Sequence, residues 1–104
     1  MNIQINTDKN ISGNEKLTEY VSSLITTELS SFANNITRIE VHLSDENGNK
    51  TGQDDKRCML EARLENRQPI AVSSQANTVE QSVSKSLDKL KTSIESLLGR
   101  VNRQ

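Results

Sequence analysis

Thr37-Arg38-Ile39-Glu40-Val41-His42-Leu43-Ser44 and Arg57-Cys58-Met59-Leu60-Glu61-Ala62-Arg63-Leu64-Glu65 are the two stretches whose reading decides the fold. In the first, Ile39, Val41 and Leu43 fall at every second position, so an extended chain puts them on one face. In the second, Cys58, Leu60, Ala62 and Leu64 share a face, while Arg57, Glu61, Arg63 and Glu65 share the other. Two strands of this kind make a hairpin with one wet face and one face that needs a lid. The segment between them, about 45–55, is too polar to pack and too long for a tight turn. It predicts a long, flexible hairpin loop.

Outward from the hairpin, Asn2-Ile3-Gln4-Ile5-Asn6 alternates and predicts a short first strand. Ser12 and Glu15 stand at capping-box spacing, where the hydroxyl and the carboxylate can satisfy free backbone N–H groups reciprocally. Leu17, Tyr20, Val21, Leu24, Ile25, Leu29 and Phe32 then follow at helical spacing up to Asn34-Asn35. Glu28 interrupts that apolar face, so either the helix bends there or the carboxylate sits at a rim beyond the sheet. Asn66-Arg67-Gln68-Pro69 predicts a turn, and Ile70-Ala71-Val72-Ser73-Ser74 a last strand. Asn77 or Thr78 caps a final helix with Val79, Val83, Leu87, Leu90, Ile94, Leu97, Leu98 and Val101 as its apolar set; Gly99 either stops it or lies within it.

The order β-α-β-β-β-α predicts a two-layer α+β domain over residues 1–104. A four-stranded mixed sheet carries both helices on one face, as in double-stranded-RNA-binding domains. A chain of 104 residues with 32% hydrophobic and 2% aromatic content has a thin, aliphatic core. No run is long enough to span a membrane and no signal peptide opens the chain. The single cysteine, Cys58, cannot form an internal disulfide. Together these predict a cytoplasmic protein.

Few residues invite chemistry. His42, the lone histidine, points to the wet face, whereas Cys58 points to the core, so the two cannot act as a nucleophile–base pair. One His and one Cys do not make a zinc site. The loop from Asp45 resembles a calcium loop only faintly, because Lys50 stands where the turn glycine belongs and Lys56 where the bidentate Glu belongs. Four scattered glycines make no phosphate loop. The expectation is no enzyme, no cofactor, no metal and no small-molecule substrate.

Charge is informative once it is divided. The net charge is −1, but residues 1–55 hold four Lys/Arg against nine Asp/Glu, a balance of −5, and residues 56–104 hold nine against five, a balance of +4. At about 100° per residue, Lys85, Lys89, Arg100 and Arg103 form one stripe opposite the apolar face of the last helix. Such a row can follow a phosphate backbone, and it can equally be an ordinary solvated face. With so few aromatics, an RNA ligand is read by shape and phosphate rather than by base. Lys56, Arg57 and Arg63 extend the patch, or Arg57 and Arg63 pair with Glu61 and Glu65 across the sheet.

Several stretches carry a resemblance in the same order. Ile3-Gln4-Ile5-Asn6-Thr7-Asp8-Lys9-Asn10-Ile11 resembles the opening of the ribosome hibernation-promoting factor family, also called ribosome-associated inhibitor A or sigma-54 modulation proteins. Leu17-Thr18-Glu19-Tyr20-Val21 is similar to its first-helix motif, Ile39-Glu40-Val41-His42-Leu43 to its second strand, and Asp88-Lys89-Leu90 to its last helix. His42-Leu43-Ser44-Asp45-Glu46-Asn47-Gly48 with Asp55-Lys56-Arg57-Cys58 is similar to a branch of short members. The chain ends at Gln104 just after the last helix, also like the short forms; the long forms add a C-terminal dimerisation domain.

The resemblance implies a ribosome hibernation and translation-inhibition factor. It would bind the small ribosomal subunit and its rRNA in the channel for messenger and transfer RNA, and act as a monomer by occlusion. By position, Lys9 matches the family's loop cation and Lys89 its helix cation. Lys85, Lys91, Arg100 and Arg103 lie in its basic C-terminal region without one-to-one matches. The chain departs from the family on the first helix. There Lys16 is the only cation, and Ser22, Ser23, Thr26 and Thr27 stand where the family is often basic. The alternative is the same fold acting as a protein–protein adaptor or modulator with a weakened RNA surface. The candidate RNA-binding residues are Lys9, Lys56, Arg57, Lys85, Lys89, Lys91, Arg100 and Arg103.

Overall fold

The computed structural model describes residues 1–9, 11, 15–46 and 55–102, with backbone alone at 100–102. Its elements are β1 (Asn2–Thr7), α1 (Glu15–Glu28), a 3-10 turn (Ser30–Phe32), β2 (Ile36–Asp45), β3 (Lys56–Leu64), β4 (Ile70–Ala76) and α2 (Val79–Asn102). The sheet order is β1-β2-β3-β4, with β1 parallel to β2 and the other neighbours antiparallel. Parallel strands need a crossover, and α1 supplies it. The α+β reading is thereby met.

Alternation places the layers. Ile39, Val41 and Leu43 of β2 and Cys58, Leu60, Ala62 and Leu64 of β3 are buried, and they join Val21 and Ile25 of α1 and Val83, Leu87, Leu90 and Ile94 of α2 in one core. The opposite sheet face stays open. It carries Gln4, Arg38, Glu40, His42, Arg57, Met59, Glu61 and Arg63, none of them buried. The helix α2 lies across β3 and β4, and α1 lies beside it towards β1.

Several boundaries depart from the periodicity. The helix α1 stops at Glu28, and the chain tightens into the 3-10 turn before β2. The bend explains the wheel position of Glu28: its carboxylate reaches the rim and pairs with Lys91 of α2 at 3.6 Å. The hairpin strands run further than alternation alone indicates. Asp45 pairs with Lys56, and Glu46 N–H donates to Asp55 C=O at 2.8 Å. The remainder of the loop, with Lys50, and the capping residue Ser12 lie outside the described residues. At the start of α2 the capping side chain is Thr78, whose Oγ1 accepts from Gln81 N–H at 3.1 Å. The helix continues through Gly99. Between β3 and β4 the chain reverses at Asn66, whose φ of 62° lies in the left-handed region that asparagine tolerates.

Ile39 and Leu60 are fully buried at the centre of the core. Truncating either to alanine is expected to cost about 2–5 kcal/mol. Urea denaturation checks this, and a loss under 1 kcal/mol would show that the core is not built around them.

Candidate nucleic-acid interface

The candidate cations fall into distinct surroundings. Lys85 and Lys89 are one helical turn apart on α2, a rise of about 6 Å. Ser73 and Gln75 are two residues apart on β4, a rise of about 6.7 Å. The helix runs antiparallel to the strand, and the two spacings nearly match. Lys85 Nζ therefore donates to Gln75 C=O at 2.9 Å, and Lys89 Nζ to Ser73 C=O at 2.7 Å. These carbonyls belong to the edge strand of the sheet. Each ammonium has three donors and uses one here, which leaves two for a ligand. Among the described residues no carboxylate lies within ion-pair distance of either lysine.

Arg57 stands near this ledge. It pairs in register with Gln75 and, with Lys89, Ser73, Ser74 and Glu46, lines a hollow of about 340 Å³. Its guanidinium lies 3.7 Å from Glu46. The structure thus brings Arg57 and Lys89 to one hollow, with Lys85 a turn away along the β4 edge.

Other candidates are held elsewhere. Lys56 Nζ lies 2.9 Å from Asp55 and 3.3 Å from Asp45, both buried carboxylates. The hydrogen bond to Asp55, with the further pull of Asp45, raises the Lys56 pKa. The ammonium stays charged inside a group of net charge −1. Lys91 faces α1 and pairs with Glu28. Lys9 is exposed in the turn after β1. That turn is fixed by Asp8, whose carboxylate accepts from Ile11 N–H at 3.1 Å and Asp45 N–H at 3.3 Å. Three strand spacings, roughly 14 Å, separate β1 from the β4 edge. The side chain of Arg100 and all of Arg103 lie outside the described residues.

The open sheet face neutralises itself. In register Arg38 faces Arg63 and Glu40 faces Glu61, so like charges oppose across the strands. Each acid is met instead along its own strand, Arg38 with Glu40 and Arg63 with Glu61, both at 3.8 Å. The Arg38 guanidinium also donates to the side-chain carbonyl of Gln4. The sequence leaves open a pairing of Arg57 and Arg63 with Glu61 and Glu65 across the sheet; Arg63 does meet Glu61, but along β3, and Arg57 meets Glu46 instead.

His42 and Cys58 lie on opposite faces. His42 is half-buried on the open face opposite Met59, and Cys58 is fully buried on the core face. Burial pushes the Cys58 thiol up to about 11, and a hydrogen bond with Ser86 only partly opposes the shift. Such a thiol is a packing group rather than a nucleophile. Among the described residues no group of three His, Cys, Asp or Glu is placed to hold a metal, and no helix is long and apolar enough to cross a membrane.

Sequence reasoning passed over Arg67, an exposed turn arginine beside the second half of α2. A lone cation in a turn has no period to reveal it.

Comparison with known proteins agrees with this architecture. The family model described as Sigma 54 modulation protein / S30EA ribosomal protein matches residues 3–102. The N-terminal domain of Thermus thermophilus Protein Y is similar in structure, with a TM-score of 0.72 at 16% identity, covering 93% of this chain and 99% of that one. A ribosomal subunit interface protein from Coxiella burnetii is similar with a TM-score of 0.73 at 15% identity, covering 95% and 99%. No match was found among curated proteins.

The Cys58 environment makes a pH prediction. Its folded-state pKa lies above the ordinary 9.0, so the unfolded chain ionises first as pH rises. The stability that burial of the neutral thiol contributes is complete below about pH 9 and is lost between about 9 and 11. Urea midpoints for wild type should fall over that window relative to Cys58→Ala, and parallel curves would contradict the assignment.

Proposed function

Because the chain belongs to the Sigma 54 modulation protein / S30EA ribosomal protein family, we propose that it is a cytoplasmic ribosome-associated hibernation factor. It binds the small ribosomal subunit through rRNA phosphates and inhibits translation by occupying the messenger and transfer RNA channel. The family is one of non-enzymatic factors, and the mechanism is occlusion by a monomer of a single domain spanning 1–104.

One observation carries the choice of surface. Lys85 and Lys89 rest on uncharged backbone carbonyls, whereas Lys56, Arg57, Lys91, Arg38 and Arg63 each have a carboxylate partner. A cation on a carbonyl keeps its full charge for a phosphate; a cation on a carboxylate must first give up its partner. The binding surface is therefore the ledge formed by α2 and the edge of β4. Arg57 is recruitable because its ion pair is long and exposed, and Arg100 and Arg103 join the candidate set by their helical period in the sequence alone. Lys9 is a separate contact from the β1 side. Lys56 and Lys91 belong to the candidate set by position, and their ion pairs make them the weakest contributors.

Co-sedimentation with purified small ribosomal subunits tests this. Pelleting should be saturable, and log K should fall with log salt by about 0.7–0.9 per phosphate contacted. Lys85→Glu with Lys89→Glu should weaken binding by at least about tenfold. Binding that ignores both reversals would place the surface elsewhere. No pelleting at low salt would reject the ribosomal reading and favour a protein adaptor with the same fold.

A further inference from the structure

The described arginines divide in two. Arg38, Arg57 and Arg63 lie 3.8, 3.7 and 3.8 Å from carboxylates. Arg67 has no carboxylate within ion-pair distance among the described residues. Its backbone N–H closes the β3–β4 turn on Leu64 C=O at 3.2 Å, and its side chain is exposed.

Across from that turn runs the second half of α2. Turn and helix together enclose an open groove of about 1080 Å³. Pro69, Ile70 and Leu97 give it an apolar lining; Ser93 and Ser96 add hydroxyls; among the described residues Arg67 is its only ionisable side chain. The groove is wide open to solvent, so it can meet one side of a ligand of nucleotide size rather than enclose it. The groove also continues the lysine ledge. Along α2 the series runs Lys85, Lys89, Ser93, Ser96; along the neighbouring chain it runs Gln75, Ser73, Ile70, Pro69. A strand of RNA tracking the two ammonium groups arrives at this groove.

We propose that the groove receives an unpaired nucleotide of the bound RNA. The inference rests on the rRNA-binding reading above and adds to it a site and a strand state. The Arg67 fork suits a phosphate, to which it can donate twice. The base lies against Pro69, Ile70 and Leu97, and the Ser93 and Ser96 hydroxyls face the ribose, whose 2′-OH is both donor and acceptor. A base inside a duplex is stacked and paired and cannot enter, so the site selects single-stranded RNA.

The test uses the full chain, an oligouridylate containing 4-thiouridine, and an RNA duplex of equal length as competitor. Ultraviolet cross-linking should map the thiouridine to residues 66–70 or 92–97. Arg67→Ala and Ser96→Glu should each weaken oligouridylate binding about tenfold. Arg67→Ala should also lower the salt slope by about 0.7. Both positions are exposed, and unchanged melting temperatures confirm that the fold is intact. Cross-links confined to other segments, equal competition by duplex, or wild-type affinity in both variants would each overturn the groove. Small-subunit pelleting of the same variants separates the two readings. If wild type pellets and Arg67→Ala pellets equally, the ribosomal reading stands and the groove falls. If wild type does not pellet, the ribosomal reading falls and the groove falls with it.

Discussion

The seating of α2 on β3 and β4 is the constraint on which the rest depends. Val83, Leu87, Leu90 and Ile94 form a buried stripe at helical spacing, and burying it fixes the rotation of the helix over the sheet. Once the rotation is fixed, Lys85 and Lys89 have one place to go. Four residues of helix and two of strand advance the chain by nearly the same distance, so successive lysines meet successive outward carbonyls of β4. The same contacts cover an edge that would otherwise offer unpaired backbone groups to another strand, and lysine is well suited to that protection. One apolar stripe thus both completes the core and aligns a row of cations.

The second organising feature is how charge is distributed among partners. A net charge of −1 argues weakly against a nucleic-acid ligand. Yet several acids are spent locally: Glu40 and Glu61 on the open face, Asp45 and Asp55 around Lys56, Glu28 against Lys91. Among the described residues the cations left without a carboxylate are Lys9 and Lys16 on the β1–α1 side, Lys85 and Lys89 on the α2–β4 edge and, at the far end of that edge, Arg67. Residue counts do not show this, because it depends on which carboxylate each cation meets.

Alternation in β2 and β3 made the sheet and its buried face legible, since a period of two has a single structural meaning when one face is dry. The apolar stripe of α2 was equally legible. The end of α1 was half-legible: Glu28 marked a disturbance, but only the position of Lys91 on the other helix says how it is resolved. The candidate site was legible as a spacing, Lys85 to Lys89, and not as an environment, because the carbonyls of Ser73 and Gln75 are long-range partners. Lys56 shows the same limit. Its neighbour Asp55 is visible in sequence, but Asp45 reaches it only through the register of the hairpin. Arg67 lay outside every periodic pattern and emerges only when the turn is set beside the helix.

A cryo-electron-microscopy map of the chain bound to the small ribosomal subunit tests the central claim most directly. The account predicts rRNA backbone density along the α2–β4 edge, within contact of Lys85 and Lys89, with the open face of Arg38, Glu40, Glu61 and Arg63 turned away. A map with the α2–β4 edge in solvent, and α1 or the open sheet face against the rRNA, would contradict it.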